Sequence, residues 1–296
     1  MNAVCPVCGA GDTRPYWQKV WGAPRKSVRA CDGCGSFFLW PPSSESEQAE
    51  FDRRYTDYIS ERGRAVEPHA KSQFSEMVED SIAIRHADIG SWFDGVTSVL
   101  EIGAETGGFL DHLRDRGMLL VGVDAAPEYA AILNKKGYIG YRYINDVPAS
   151  SRFDRVCCFS LLEHIREPVA FLARAGALLA PGGQIVIEVP SAADPLLALY
   201  ELPAFKDFYF QAMHPQVFSP RAVEMLLQRA GFGRIERRFK QRYGLANHLQ
   251  WLRKGVPGGA PELAAMLANG VDGAYIAALE KAGMTDTIYV AAAMAA

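Results

Sequence analysis

The chain has 296 residues, of which 49% are hydrophobic and 22% charged, so its composition excludes intrinsic disorder over most of its length. Its net charge of −3 disfavours nucleic acid as the main partner, because nucleic-acid-binding proteins usually carry a basic excess. No apolar run is long enough for a transmembrane helix, and the opening residues MNAVCPVCGA lack the pattern of a secretion signal. We therefore expect a cytoplasmic protein.

Two C-x-x-C pairs lie near the start of the chain, Cys5 with Cys8 and Cys31 with Cys34. This spacing lets both thiolates of a pair face one ion, and four sulfurs close a tetrahedral structural zinc site without an open position for water. Two disulfides or free thiols are the alternative, although a reducing cytoplasm disfavours disulfides. The pattern predicts a zinc ribbon over residues 1–42.

Aromatic residues are dense in this segment. They either pack the ribbon against the next domain or form the wall of an acceptor pocket. The residues concerned are Trp17, Trp21, Phe37, Phe38 and Trp40.

Residues 43–95 follow as a predicted helical linker or lid with a mixed-charge surface. Several of its side chains could line a pocket, or equally form a solvated helix face: Tyr55, Tyr58, Arg62, Arg64, His69 and Gln73.

Strands and helices alternate from residue 96 onward, which is typical of a parallel α/β sheet. The predicted strands cover residues 98–101, 118–124, 138–144, 153–160, 184–189, 234–239 and 287–292. Helices are predicted after the first strand up to Gly117, from Pro127 to Gly137, over 168–180 and from Ser219-Pro220 to Gly231. A helical insertion near 243–284, with two Ala-rich helices, precedes the last strand.

The first of these strands ends at Glu101 and leads into a loop in which Gly103 and Gly107 keep side chains away from a ligand. Asp124 ends the second strand, where its carboxylate could accept both hydroxyls of a ribose. The pair of features indicates a nucleoside cofactor, either a dinucleotide or S-adenosylmethionine, with a purely structural glycine turn as the alternative. Glu105 replaces the second glycine of the G-x-G-x-x-G pattern, and its charge suits a sulfonium better than a pyrophosphate.

Four stretches, taken in order, resemble the class I S-adenosylmethionine-dependent methyltransferases: VLEIGAETGGFL, GVDAAP, FDRVCCFSLLEHIREPVAFLARAGALLAPGGQIVIEVP and HPQVFSPRAVEMLLQRAGF. The resemblance covers about residues 96–240 and the closing strand, and it implies a Rossmann-like seven-stranded sheet. We therefore expect residues 96–296 to form an S-adenosylmethionine-binding methyltransferase domain. With its zinc knuckles, the chain resembles a bacterial subgroup that acts on sugars, nucleotide sugars and other natural products.

The resemblance also implies roles for individual residues. The loop after the first strand would surround the methionine part of the cofactor, the second strand would meet the ribose and adenine, and the segment after the fourth strand would lie near the methyl group. The implied cofactor-binding residues are Glu101, Gly103, Ala104, Gly107, Asp124, Ala125, Asp146, Ser160 and Leu161. By contrast, Cys157 and Cys158 are interpreted as core residues.

Two histidines are the candidates for catalysis. C-methyltransferases of the resembling subgroup carry a glutamate–histidine pair in which the histidine is the base. Here His214 is present, but Met213 replaces the glutamate, and a histidine without a carboxylate partner is a weaker base. Methylation of oxygen or nitrogen therefore stays open. We interpret His214 as the acceptor-side base and His164 as a second catalytic candidate. The alternative is that each histidine has a purely structural role.

Residues 234–254 carry seven basic side chains against one glutamate. A net charge of +6 over this stretch could bind a phosphate- or nucleotide-linked acceptor, or the stretch is simply a solvated edge strand.

Three functions are compatible with the sequence. The favoured one is S-adenosylmethionine-dependent methyl transfer to a hydroxyl or amine of a small molecule, the expected acceptors being sugars, nucleotide sugars and natural products. An RNA methyltransferase whose zinc ribbon binds RNA is the alternative, but the near-neutral ribbon and a pI of about 6.1 argue against it. The third is a non-enzymatic binding module that retains the fold, although the intact Glu101, Gly103, Gly107 and Asp124 argue against loss of cofactor binding.

Overall fold

The computed structural model describes residues 3–44, 46–47, 73–259 and 261–295. A small antiparallel sheet combines three strands from the start of the chain with one from much further along. In spatial order, these strands are β1 (Thr13–Trp17), β2 (Ser27–Cys31), β3 (Phe37–Trp40) and β9 (Gln216–Val217).

A seven-stranded sheet forms the larger part of the protein. Its strands are β4 (Ser98–Ile102), β5 (Leu119–Val123), β6 (Ile139–Tyr141), β7 (Phe153–Phe159), β8 (Leu179–Pro190), β10 (Phe232–Lys240) and β11 (Thr287–Met294). The spatial order is β10-β11-β8-β7-β4-β5-β6, and every pairing from β8 to β6 is parallel. Strand β11 is antiparallel to both neighbours. The predicted α/β, Rossmann-like seven-stranded sheet is confirmed.

The chain order reverses at β4, because the next strand, β5, lies on one side of it and β7 lies on the other. Open α/β sheets bind ligands at such a switch point, in the crevice beyond the carboxyl ends of the strands.

The helices are α1 (Gln73–Ile89), α2 (Gly108–Asp111), α3 (Pro127–Lys135), α4 (Pro168–Gly176), α5 (Pro195–Ala198), α6 (Pro203–Tyr209), α7 (Pro220–Arg229), α8 (Leu245–Lys254), α9 (Pro261–Leu267) and α10 (Val271–Ala282). Six of these helices begin at proline, whose fixed φ suits the first turn and whose missing N–H is not needed there. Within the described part of the chain, no helix combines the length and apolarity that crossing a membrane requires.

Several predicted boundaries were wrong. The helix predicted over 168–180 ends at Gly176. Strand β8 begins at Leu179 instead of the predicted residue 184, and Gly182, with a φ of +77°, allows a turn of the backbone within this strand. The helix predicted up to Gly117 is reduced to α2 and a separate 3₁₀ turn at Arg114–Arg116.

Other elements differ in number or extent. Strand β6 is shorter than the predicted 138–144, whereas β10 extends beyond 234–239 at both ends. The insertion contains α8 in addition to the two predicted helices. Of the linker, Tyr55, Tyr58, Arg62, Arg64 and His69 lie outside the described residues.

The central strands are buried on both faces, as expected for parallel strands covered by helices. Cys157 and Cys158 point to opposite faces of β7 and enter two different hydrophobic clusters. Both side chains are fully buried, so their interpretation as core residues is confirmed.

The cysteine-bearing sheet is joined to the rest of the protein through residues 210–217. Besides the β3–β9 pairing, the Trp21 N–H donates to the Phe210 carbonyl at 2.9 Å, and the Ala212 N–H donates to the Trp21 carbonyl at 2.9 Å. The aromatic rings reinforce this joint, since Phe37 lies 5.6 Å from Phe210 between ring centroids. These contacts favour the packing role for the aromatic residues.

Ser219 links the two sheets directly. Ser219 is the N-cap of α7, where its Oγ accepts a hydrogen bond from the Ala222 N–H at 3.0 Å. The same hydroxyl donates a hydrogen bond to the Cys34 carbonyl at 2.5 Å.

Ser219→Ala removes both bonds, and we expect the free energy of unfolding to fall by about 1–2 kcal/mol. Urea denaturation measures this loss, with exposed Ser150→Ala as the control. Equal stability of the two variants would contradict the capping role.

Candidate active site

Glu101 is the penultimate residue of β4 and is buried, and its Oε2 has no hydrogen-bond partner within the described part of the chain. Burial raises the pKa of Glu101 to about 8. The positive charge of Arg85 lowers this pKa, whereas the neighbouring acids Glu105 and Asp124 raise it further. A buried carboxylate without a partner is costly, so this position is suited to a cationic group of a ligand.

The loop after Glu101 is held against β5. The amides of Gly103 and Ala104 donate to the Val123 carbonyl at 2.8 and 3.1 Å, and Gly103 has a φ of +79°. Gly107 also has a positive φ, and a Cβ there would lie 2.8 Å from a Leu133 methyl carbon. Glycine at this position is therefore required by the turn and by packing.

Asp124 follows β5 and is tied to the same loop. Its two carboxylate oxygens accept the N–H groups of Glu105 and Ala126, each at 3.0 Å. These bonds orient the carboxylate and leave lone pairs for further donors. Ala125 lies between Asp124 and Ala126. The residues predicted to contact the ribose and the adenine, Asp124 and Ala125, therefore both lie at the switch point.

Asp146 lies on a 3₁₀ turn after β6, at the same edge of the sheet, and is exposed. Its carboxylate accepts the Tyr143 N–H at 2.9 Å, so it stabilises its own turn.

Ser160 begins the loop after β7 with a φ of +49°, and its Oγ donates to Glu188 Oε1 at 3.0 Å. Leu161 follows and packs over Gly103, since a Cβ there would lie 3.3 Å from a Leu161 methyl carbon. The loops after β4 and β7 are thus in contact, as the cofactor assignment requires.

An ion pair that was not predicted from the sequence involves the same glutamate. Arg85 Nε donates to Glu188 Oε2 at 2.5 Å, and an Arg242 nitrogen lies 3.7 Å from Glu188 Oε1. Burial opposes ionisation of Glu188, but the two arginines outweigh it and lower its pKa. The available signal was the acidic residue inside the otherwise apolar strand QIVIEV.

His164 and His214 are brought together, with ring centroids 4.9 Å apart. His164 Nδ1 lies 2.7 Å from the Met213 carbonyl. Because a carbonyl only accepts, Nδ1 carries the proton and the other ring nitrogen keeps its lone pair. Burial lowers the pKa of His164, despite the bond to Met213, and so favours the neutral ring.

Glu163 is a further residue of the site that was not predicted from the sequence. It is 2% exposed, its Oε2 has no partner in the described part of the chain, and burial raises its pKa to about 8. One oxygen of Glu163 and one nitrogen each of His164 and His214 lie within 4.8 Å of one another. Its position next to His164 in SLLEHI was the signal.

The basic side chains of residues 234–254 have several acidic partners in the structure. Four of these side chains are ion-paired with acidic residues on other elements or on their own strand. The pairs are Arg237 with Glu224 at 2.9 Å, Arg238 with Glu236 at 3.4 Å, Lys240 with Asp88 at 3.1 Å and Arg242 with Asp286 at 3.3 Å.

The four N-terminal cysteines converge as predicted. Cys5 and Cys34 have their sulfurs 3.7 Å apart, and those of Cys8 and Cys31 are 3.5 Å apart. All four thiols are free, and their sulfurs lie within 4.8 Å of one another. Sulfurs around one tetrahedral zinc ion lie about 3.8 Å apart, so these residues could hold such an ion.

Comparison with known proteins places this site in a family. A family model described as a methyltransferase domain matches residues 52–236. A ubiquinone biosynthesis O-methyltransferase from Xanthomonas oryzae is 29% identical over 98 residues, which cover 30% of this chain and 41% of that protein. The chain thus matches only about two fifths of the length of this curated relative.

Solved structures were compared as well. A SAM-dependent methyltransferase from Archaeoglobus fulgidus has a TM-score of 0.50 at 19% identity, covering 72% of this chain and 93% of that one. A 1,6-didemethyltoxoflavin-N1-methyltransferase from Burkholderia thailandensis has a TM-score of 0.49 at 16% identity, covering 96% and 100%. The first of these shows a shared fold.

The methyltransferase-domain model matches more than half of this chain. The chain therefore belongs to the methyltransferase-domain family and is an S-adenosylmethionine-dependent methyltransferase.

Proposed function

We propose that the protein transfers a methyl group to a hydroxyl or amine of a small-molecule acceptor, such as a sugar, a nucleotide sugar or another natural product. The observation that carries this proposal is the pairing of His164 with His214 beside the loop that contacts Gly103. The curated relative is by name an O-methyltransferase, which supports a hydroxyl acceptor.

The cofactor assignment rests on the donor and acceptor groups at the switch point. Asp124 would accept the ribose hydroxyls, with Ala125 beside the adenine and Asp146 near its amino group. The unpartnered oxygen of Glu101 suits the cationic methionine part, which would lie along Gly103, Ala104 and Gly107. Ser160 and Leu161 would close the site from the β7 side.

The bound cofactor would supply an already activated methyl group, so the protein mainly has to align an acceptor with it. In the simplest scheme, His214 takes the proton of the acceptor as the new bond forms. His164, whose ring is oriented by the Met213 carbonyl, holds the acceptor next to it.

We further propose that Cys5, Cys8, Cys31 and Cys34 bind a structural zinc ion. Four thiolates leave no open position, so this ion would stabilise the ribbon without taking part in methyl transfer. The ribbon in turn holds residues 210–217, which carry His214. Its aromatic side chains pack against that segment, which disfavours their use as stacking platforms for RNA bases.

Binding of S-adenosylhomocysteine tests the role of Glu101 through its pKa of about 8. At pH 7 the ligand-free carboxyl is mostly protonated, and the ammonium of the ligand favours the ionised form, so binding should release up to about one proton. Isothermal titration calorimetry in buffers of different ionisation enthalpy measures this release.

Glu101→Gln should abolish the proton release, whereas Glu163→Gln should retain it. The same pKa predicts that the ligand-free protein loses stability as the pH rises from about 4.5 to about 8, because the unfolded chain ionises Glu101 first. An equal proton release by wild type and Glu101→Gln would rule out the assignment.

Metal analysis of freshly purified protein should find one zinc ion per chain. Cys31→Ser should lose the ion and lower methyl transfer, because the segment that carries His214 is no longer held in place. The dissociation constant for S-adenosylhomocysteine should stay within about threefold of wild type, since the cofactor contacts lie on the other sheet. Wild-type protein that is folded and zinc-free would refute the metal assignment.

His214→Ala should reduce turnover by about 10²–10⁴-fold and leave S-adenosylhomocysteine affinity within about threefold. Transfer of a labelled methyl group to an acceptor found by screening sugars, nucleotide sugars, phenols and amines measures turnover. The matched control is His112→Ala, because His112 stacks on His86 at 4.9 Å, away from the pair. Undiminished turnover in His214→Ala would disprove the catalytic role.

A further inference from the structure

We propose that Glu163, His164 and His214 form a binding site for one divalent transition-metal ion. The inference deepens the proposed function, on which it rests, because it assigns the ion to the place where the acceptor would be activated. The three residues come from two separate segments, the loop after β7 and the segment before β9.

The geometry of the three side chains is compatible with a shared ion. Their candidate ligand atoms lie within 4.8 Å of one another. Two ligands of one such ion, each bound at about 2.1 Å, are separated by at most about 4.2 Å. The observed limit of 4.8 Å exceeds this value by about 0.6 Å, so binding requires the three atoms to move slightly closer together.

The second observation is the state of Glu163. Its side chain is 2% exposed, and its Oε2 makes no hydrogen bond to any described residue. The buried glutamate in β8, Glu188, is by contrast paired with Arg85. A carboxylate that is buried without a cation is strongly disfavoured, and a bound metal ion is the kind of partner that relieves this cost.

The surroundings of the histidines resemble the outer shell of metal sites, in which a ligating imidazole donates its other N–H to a protein acceptor. His164 makes such a bond to the Met213 carbonyl at 2.7 Å. Gln211 Nε2 lies 3.3 Å from His214 Nδ1, while Gln211 Oε1 is buried without a partner. If the Gln211 side-chain amide is rotated by 180°, its oxygen can accept a hydrogen bond from the His214 Nδ1–H. The Nε2 atom of His214 is then left to bind the ion.

Two imidazoles and one carboxylate favour manganese, iron, cobalt or zinc over calcium. Three protein ligands leave open positions, which suit an acceptor with two adjacent oxygens, such as a vicinal diol. The bound hydroxyl would lose its proton to water, and its oxygen would form the new O–C bond while the methyl C–S bond breaks, releasing S-adenosylhomocysteine. In this scheme His214 acts as a ligand instead of a base.

Titration of the zinc-loaded protein with Mn²⁺, followed by electron paramagnetic resonance, tests the site without an acceptor. Manganese prefers oxygen and nitrogen ligands, so it should leave the cysteine site alone. One ion per chain should bind to wild type and to His112→Ala. Binding should weaken at least about tenfold in both Glu163→Gln and His214→Ala. Because these variants lie on different segments, the test survives if one fails to fold.

Absence of binding at millimolar manganese, or equal binding by all four proteins, would overturn the metal site. Activity separates this failure from that of the proposed function. Methyl transfer that continues in a chelator, with zinc retained and no manganese bound, would refute the metal site and leave the proposed function intact. Manganese binding by a protein that methylates no small molecule would refute the proposed function and leave the metal site.

Discussion

Negative charge buried at the carboxyl edge of the central sheet is the constraint around which the site is organised. Glu101, Glu163 and Glu188 lie at the ends of neighbouring strands or just beyond them, and all three are almost completely buried. Of these three glutamates, Glu188 is the one that forms ion pairs with Arg85 and Arg242 among the described residues. Burial of the other two carboxyls lowers the stability of the protein. Such destabilising groups are retained where a bound ligand compensates for their cost. We therefore interpret the site as one built to receive positive charge, from the cofactor at Glu101 and a metal ion at Glu163.

The second sheet determines where the acceptor side of this site lies. Strand β9 pairs with β3, so the segment that carries His214 is held between the cysteine-bearing ribbon and the loop after β7. Ser219 and Trp21 add hydrogen bonds on either side of that segment. Under the proposed function, the ribbon would position the His214 side chain, and the four cysteines would connect the folding of the ribbon to the geometry of the site.

The sequence predicted features that depend on local pattern. The strands of the large sheet, the glycine loop with Asp124 and the four cysteines all follow from spacing and periodicity. Strand β9 was missed because two residues carry no periodic pattern, and its partner β3 lies far away in the chain. The acidic partners of the basic stretch could not be predicted, because they come from distant elements, such as Asp88 and Glu280 for Lys240.

A crystal structure of the protein with S-adenosylhomocysteine and Mn²⁺, with anomalous data at the zinc and manganese edges, tests the central claim most directly. The account predicts the ligand's amino group against Glu101, its ribose against Asp124 and a manganese peak among Glu163, His164 and His214. A complex in which the ligand avoids Glu101, with both buried carboxyls still without a cation, would contradict it.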